Sequence, residues 1–305
     1  VKTTNEQPVV DLSHLTTEER NPDTSHLDEM SPLEVARAMN REDEKVVAAV
    51  REVIPQVAQA IEWATSSLSD GGRIIYFGAG TSGRLGVLDA VECPPTFGVS
   101  PDVVVGMIAG GDSAFVRAAE GAEDSDTLCA EEMAGIDLAP HDLAIGVAAS
   151  GRTPYVLGGL AYARRVGCRT VALSCNRDSE IGKVADLAIE PVTGPEVLTG
   201  STRLKAGTAQ KMVLNMISTG AMVGIGKVYQ NLMVDVQQTN EKLVSRALNI
   251  TMDACGCSRE EASSALSSAD GDVKCAIVMI LAGVDVCEAR ARLEVASGHI
   301  RRAIG

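Results

Sequence analysis

Apolar positions change rhythm twice along this chain. Residues 1–30 are polar and without period. At Ser31 a helix begins, because Ser31-Pro32-Leu33-Glu34 is a capping box. The serine can accept from first-turn N–H groups, proline suits the first helical position, and the glutamate can reach back. Val46, Val47, Val50, Val53, Ile54, Val57, Ile61 and Trp63 then recur on or near one face, until Asp70-Gly71-Gly72 halts the pattern. From Arg73 short, largely apolar runs take over, at 74–77, 103–108, 143–148, 170–174 and 187–189. Runs of that length and character read as strands buried on both faces. The stretches between them carry helical spacing, as at 156–165. Strands alternating with helices predict an α/β fold with a doubly wound parallel sheet. A long helix is expected at about 205–223, and another at 240–252. Beyond Asp253 the helices shorten to about ten residues, with a second capping box at Ser258 and Glu261, which predicts a small separate bundle. The chain therefore divides into an N-terminal helical arm at 1–63, an α/β domain at 64–227 and a C-terminal helical domain at 228–305.

Composition narrows the partners. The chain has 305 residues, of which 45% are apolar but only 3% aromatic, so Ala, Val, Leu, Ile and Met must build its core. A net charge of −14 argues against nucleic acid and anionic membranes, both of which reward basic patches. It also means that an anionic ligand must be held by a local device against the overall field. No apolar run has the length of a membrane span. Residues 1–8 are polar and lack a signal-peptide profile, so a cytoplasmic location is expected. Eight cysteines are scattered through periodic segments, with Cys255 and Cys257 in a C-x-C lacking a nearby histidine. His14, His26, His141 and His299 show no ligand spacing. Reduced thiols and no metal are the expectation.

Candidate chemistry lies in two loops. Gly78-Ala79-Gly80-Thr81-Ser82-Gly83 follows the first strand and opens a helix. Its spacing satisfies G-x-G-x-x-G, so a dinucleotide has to be considered. However, Thr81 and Ser82 fill positions where hydroxyls fit a phosphate monoester better, and 103–108 runs into Ala109-Gly110-Gly111 where an acidic residue would close a dinucleotide site. The third strand ends in a similar loop, Ala148-Ala149-Ser150-Gly151-Arg152-Thr153-Pro154. Parallel strands put both loops on one edge, where helix N-termini favour a dianion. Either loop alone could be a tight turn and a helix cap; together they point to Gly80, Thr81, Ser82, Gly83, Ser150, Gly151 and Thr153 as a phosphate cradle.

These loops resemble those of sugar isomerase (SIS) domains, which bind phosphosugars, and a narrower likeness runs along most of the chain. The segment 78–98, with its Glu92-Cys93-Pro94-Pro95-Thr96 run, is similar to the N-acetylmuramic acid 6-phosphate etherase family. So are Ile108-Ala109-Gly110-Gly111, the segments 120–125, 149–155 and 200–211, Asn231-Leu232-Met233-Val234-Asp235-Val236, and Glu19-Arg20-Asn21-Pro22 in the polar front. One departure from the wider SIS pattern is Ala148, where many such loops carry a serine. The C-terminal unit is similar to a ubiquitin-associated-type three-helix module, which lends an architecture and no ubiquitin-binding role.

The resemblance implies cleavage of the D-lactyl ether at C3 of N-acetylmuramic acid 6-phosphate, giving N-acetylglucosamine 6-phosphate and D-lactate by elimination and hydration. It implies a homodimer, no cofactor, and a place in amino-sugar metabolism and cell-wall recycling. By the same resemblance Glu92 is the proton donor to lactate and Glu123 the base, with Asp89 and Glu120 as neighbouring decoys. Glu92 is expected to end its helix at Pro94-Pro95, and Glu123 to follow a helix over 113–120. Lys205 could add charge or lie on the surface, and stands outside the site list. Rival readings are an aldose–ketose isomerase on the same domain and a non-enzymatic sugar-phosphate sensor; a dehydrogenase is the weakest.

Overall fold

The computed structural model describes residues 15–117, 119, 121–236 and 241–305. His14 and Glu120 therefore lie outside the described residues. The Ser31 capping box forms as expected and opens helix α1 (Pro32–Glu52). The helical pattern up to Asp70 is one element in the sequence and two in the structure, because Val53 leaves helical geometry and α2 (Ile54–Ser69) starts afresh. Pro55 is the cause, since it has no N–H to give the Arg51 carbonyl four residues back and suits the opening of a new helix.

Strand β1 (Ile74–Gly78), helix α3 (Gly80–Phe97), β2 (Val104–Ile108) and a single turn α4 (Ser113–Val116) follow. Then come α5 (Leu128–Gly135), β3 (Leu143–Val147), α6 (Pro154–Val166), β4 (Arg169–Leu173), α7 (Glu180–Val184) and β5 (Leu187–Ile189). All five strands pair in parallel in the order β2-β1-β3-β4-β5. Long helix α8 (Lys205–Gly224) closes the α/β part. Alternate residues of β1 serve two layers. Ile74 and Tyr76 pack with Ala60, Ala64, Leu214 and Ile217 of α2 and α8. Ile75 and Phe77 pack with Met133, Tyr155, Val156 and Leu160 of α5 and α6. Helices thus cover both faces, which is why the strands read as largely apolar runs.

Two expected helix ends move. Helix α3 does not stop at Pro94-Pro95 but continues to Phe97, with Gly98 in the left-handed conformation as its cap. Cys93 and Phe97 are buried on either side of the prolines, and their burial outweighs the bonds that the prolines cannot donate. The helix expected over 113–120 ends at Val116.

A short hairpin, β6 (Val228–Tyr229) and β7 (Leu232–Met233), leads to α9 (Glu241–Cys255). Three ten-residue helices follow, α10 (Arg259–Ser268), α11 (Val273–Ala282) and α12 (Val286–Val295), then α13 (Ile300–Ile304). This region has its own core, in which Ala247, Cys275, Ala276, Ile277, Val278 and Ala289 are fully buried. The Asp235 carboxylate fastens it to the end of α8, taking Lys227 at 3.0 Å and Lys274 at 2.6 Å. No helix among the described residues is long and apolar enough to cross a membrane.

Candidate functional site

The strand order reverses between β1 and β3, and in a doubly wound sheet the crevice outside the carboxyl ends at that point receives ligands. Both loops singled out in the sequence leave those two strands. After β1, extended Ala79 turns the chain directly into α3. The Gly83 N–H makes the first bond back to the Ala79 carbonyl at 3.2 Å. A Cβ on Gly83 would lie 2.5 Å from the Gly78 carbonyl oxygen, so only glycine lets the helix start this close to its strand. The N–H groups at Gly80 to Ser82 are left for an anion, as at any helix N-terminus.

Around this loop α8 closes tightly. The Ser82 hydroxyl is buried and donates to Gln210 Oε1 at 3.0 Å. A Cβ placed on Gly207 would stand 3.5 Å from the Thr81 methyl, in ordinary van der Waals contact. The Arg84 guanidinium donates to the carbonyls of Ala114 and Phe115 at 2.7 and 2.8 Å, fixing the turn after β2 beside α3.

In the second loop Gly151 adopts φ +75° and donates back to the Ala148 carbonyl at 3.0 Å, a tight turn that ends β3. Its own carbonyl accepts from Ile181 N–H at 2.9 Å. Buried Asn176, just after β4, donates to the carbonyls of Ala149 and Ser150 at 3.1 and 3.3 Å. It also ties in the N-terminal segment, donating to Thr17 Oγ1 at 3.0 Å and accepting from Thr16 Oγ1 at 2.9 Å. Ser150 is half-buried, and Thr153 stands at the N-cap of α6 with no side-chain bond to the first turn.

The two candidate carboxylates are placed differently. Glu123 is exposed on a single 3-10 turn, Ala122–Asp124, which packs on α6. A Cβ on Gly110, just after β2, would lie 3.5 Å from Ala122 Cβ, which puts that turn on the carboxyl edge of the sheet that both loops leave. Glu92 is exposed near the far end of α3. Twelve residues separate it from Gly80, a rise of about 18 Å. Exposed Leu88 and Val91 flank it on the same helix.

The neighbouring acid Asp89 belongs to the interior. Its Oδ1 accepts from Asn215 Nδ2 at 2.5 Å and Ser218 Oγ at 3.1 Å, and burial raises its pKa above the usual carboxylate value. Lys205 is also internal: its ammonium is buried against Glu42, and its N–H is capped by the Glu196 carboxylate at 3.0 Å. Among the described residues, no group of three His, Cys, Asp or Glu side chains is arranged to hold a metal ion. Sequence reasoning missed Gln210, Arg84 and Asn176. The first two sit inside segments quoted for the family likeness, which was the available signal; Asn176 had none.

The glucokinase regulatory protein N-terminal SIS domain model matches residues 56–164. A protein of Enterobacter sp. (strain 638) named N-acetylmuramic acid 6-phosphate etherase is 58% identical over 295 residues, covering 97% of this chain and 99% of its own length. N-acetylmuramic acid 6-phosphate etherase 2 of Vibrio cholerae is 54% identical over 301 residues, covering 99% of this chain and 98% of its own. Among solved structures, a phosphoheptose isomerase from Neisseria gonorrhoeae overlaps 64% of this chain and 98% of its own at 17% identity and a TM-score of 0.49. That distance leaves the family to be decided by the sequence relatives.

Proposed function

The chain belongs to the N-acetylmuramic acid 6-phosphate etherase family, and on that premise we propose that it cleaves the D-lactyl ether of N-acetylmuramic acid 6-phosphate with water. The products are N-acetylglucosamine 6-phosphate and D-lactate. The observation that carries this reading is likeness over nearly the whole chain, 58% identity across 295 residues.

The 6-phosphate sits between the two loops, taking N–H groups of Gly80 to Ser82 and of Ser150, with hydroxyls of Thr81, Ser82, Ser150 and Thr153 around it and the turns at Gly83 and Gly151 holding the loops in shape. Two helix N-termini supply the positive potential that the acidic chain as a whole lacks. From there the opened sugar extends along the carboxyl edge toward Glu123. Its carboxylate removes the C2 proton, made acidic by the C1 aldehyde. The electron pair forms the C2–C3 double bond as the C3–oxygen bond breaks. Glu92 gives its proton to the departing lactate oxygen. Water then adds its oxygen to C3 and a proton returns to C2.

Glu92 of the same chain stands too far along α3 for this step, because a hexose from its 6-phosphate to C3 spans less than half of the roughly 18 Å rise. The acid is therefore Glu92 of a second copy in a homodimer, docked through the stripe of Leu88 and Val91. The enzyme works in the cytoplasm, without metal or nicotinamide, and takes neither nucleic acid nor membrane as partner.

Incubating the protein with N-acetylmuramic acid 6-phosphate and assaying D-lactate tests the reading. An aldose–ketose isomerase or a sugar-phosphate sensor would release none, and absence of lactate would remove the etherase assignment.

A further inference from the structure

Gln210 is fully buried in α8, and only half of its carboxamide is used. Oε1 accepts the Ser82 hydroxyl at 3.0 Å, whereas Nε2 has no hydrogen-bond partner among the described residues. A buried unpaired amide donor costs free energy, so its persistence asks for a reason. Ser82 poses the complementary problem. It stands in the first turn of α3, inside the phosphate loop, yet its single proton points away from that loop into Gln210. In this arrangement the serine offers an incoming phosphate only lone pairs, which a dianion repels.

One motion answers the serine's problem: it gives Nε2 a partner and frees the hydroxyl proton, leaving Oε1 as the unpaired atom of the occupied site. The oxygen and nitrogen of a carboxamide are nearly the same size, so a half-turn of its terminal group exchanges them with little disturbance of packing. We propose that Gln210 is a positioning residue for phosphate recognition, whose carboxamide turns when the phosphosugar arrives. In the empty site Ser82 donates to Oε1. In the occupied site Nε2 donates to Ser82 Oγ, and the freed hydroxyl donates to a phosphate oxygen. No covalent bond changes; one hydrogen bond reverses its direction and one forms to the phosphate.

The inference rests on the first loop being the phosphate site, and the test separates the two. Binding of N-acetylglucosamine 6-phosphate is measured by calorimetry, with unphosphorylated N-acetylglucosamine as reference, for Ser82→Ala, Gln210→Met, Gln210→Glu and the double variant Ser82→Ala/Gln210→Met. Gln210→Met removes the relay and should weaken the 6-phosphate roughly three- to tenfold. Gln210→Glu, an acceptor of the same shape, should weaken it more. Neither should alter the reference sugar, and kcat should stay within about twofold while KM rises. In the Ser82→Ala background Gln210→Met should add nothing. Undiminished affinity in Ser82→Ala overturns the loop assignment. A loss in Ser82→Ala with none in either Gln210 variant, or losses that simply add, overturns the relay alone. The wild-type protein gives a further check that needs no substitution. Bound to N-acetylglucosamine 6-phosphate, Ser82 Oγ should lie within hydrogen-bond distance of both a phosphate oxygen and Gln210. With one hydroxyl proton, that geometry requires Nε2 as the donor. A serine that keeps Gln210 as its only partner overturns the proposal.

Discussion

The Lys205 ammonium and the Glu42 carboxylate meet 2.6 Å apart, with side-chain exposures of only 1% and 5%. Glu42 also takes Lys45 at 2.6 Å from the solvent side. Burial alone would raise the Glu42 pKa, but the two ammonium groups outweigh it and hold it below the usual value. The contact bolts α1 to the first residue of α8, the helix that carries Gln210 to Ser82 in the loop after β1.

Removing one partner should therefore be costly and removing both much less so. Glu42→Gln leaves a buried ammonium without its counter-charge and should destabilise by about 3–5 kcal/mol in urea unfolding, whereas Glu42→Leu with Lys205→Met should recover most of that. If the recovered double variant also keeps its KM for phosphosugar, Lys205 has no substrate role. A Glu42→Gln protein as stable as wild type would show that the pair is not structural.

The Arg73–Asp142 pair predicts how stability follows pH. Asp142 is buried, which by itself would raise its pKa. Hydrogen bonds from the Arg73 side chain and from the N–H groups of Ala139 and Arg73 prevail and lower it. A carboxyl lowered on folding contributes stability above its unfolded pKa and loses it as pH falls through the folded value. Asp142→Asn should cost roughly 3 kcal/mol at neutral pH, and the gap to wild type should narrow below about pH 4. A gap that stays constant down to pH 3 in denaturant titrations would sink this account.

Gly83 tests the close start of α3. With a Cβ 2.5 Å from the Gly78 oxygen and 2.8 Å from Ile108 Cγ1, Gly83→Ala must push the helix off its strand. The expected cost is about 1–3 kcal/mol, with a raised KM from the displaced loop. Unchanged melting temperature and KM would mean that the loop has room the geometry denies.

The shared-site reading makes a mixing prediction. Glu92→Gln and Glu123→Gln should each lower lactate release by at least roughly 10²–10⁴-fold. If Glu92 acts across a dimer, unfolding and refolding the two variants together should restore activity, because a mixed dimer holds one intact site. In deuterated water Glu92→Gln should still exchange label into C2 of substrate, and Glu123→Gln should not. A mixture as inactive as its parents would return both groups to one chain or remove Glu92 from the reaction.

Much of this protein is written locally. Ile74 to Phe77 read as a buried strand because both faces of the sheet are covered, and the capping boxes at Ser31 and Ser258 close within three residues. The two loops after β1 and β3 were legible for the same reason, being short turns between a strand and a helix. What the sequence could not specify are the meetings between elements. Ser82 and Gln210 are 128 positions apart, and Asn176 and Thr17 are 159 apart. Lys205 read equally well as surface or ligand until α1 was docked against it. Pro94-Pro95 carried a stop signal that the burial of Cys93 and Phe97 overrode. Glu92 lies only twelve residues from Gly80 in sequence, yet the helix between them turns that stretch into a rise of about 18 Å. Periodicity and capping act within a turn or two of chain and survive in one dimension. Which side chains share a buried hydrogen bond, and which edge of the sheet a carboxylate reaches, depends on how helices dock, and docking energy belongs to the assembled layers.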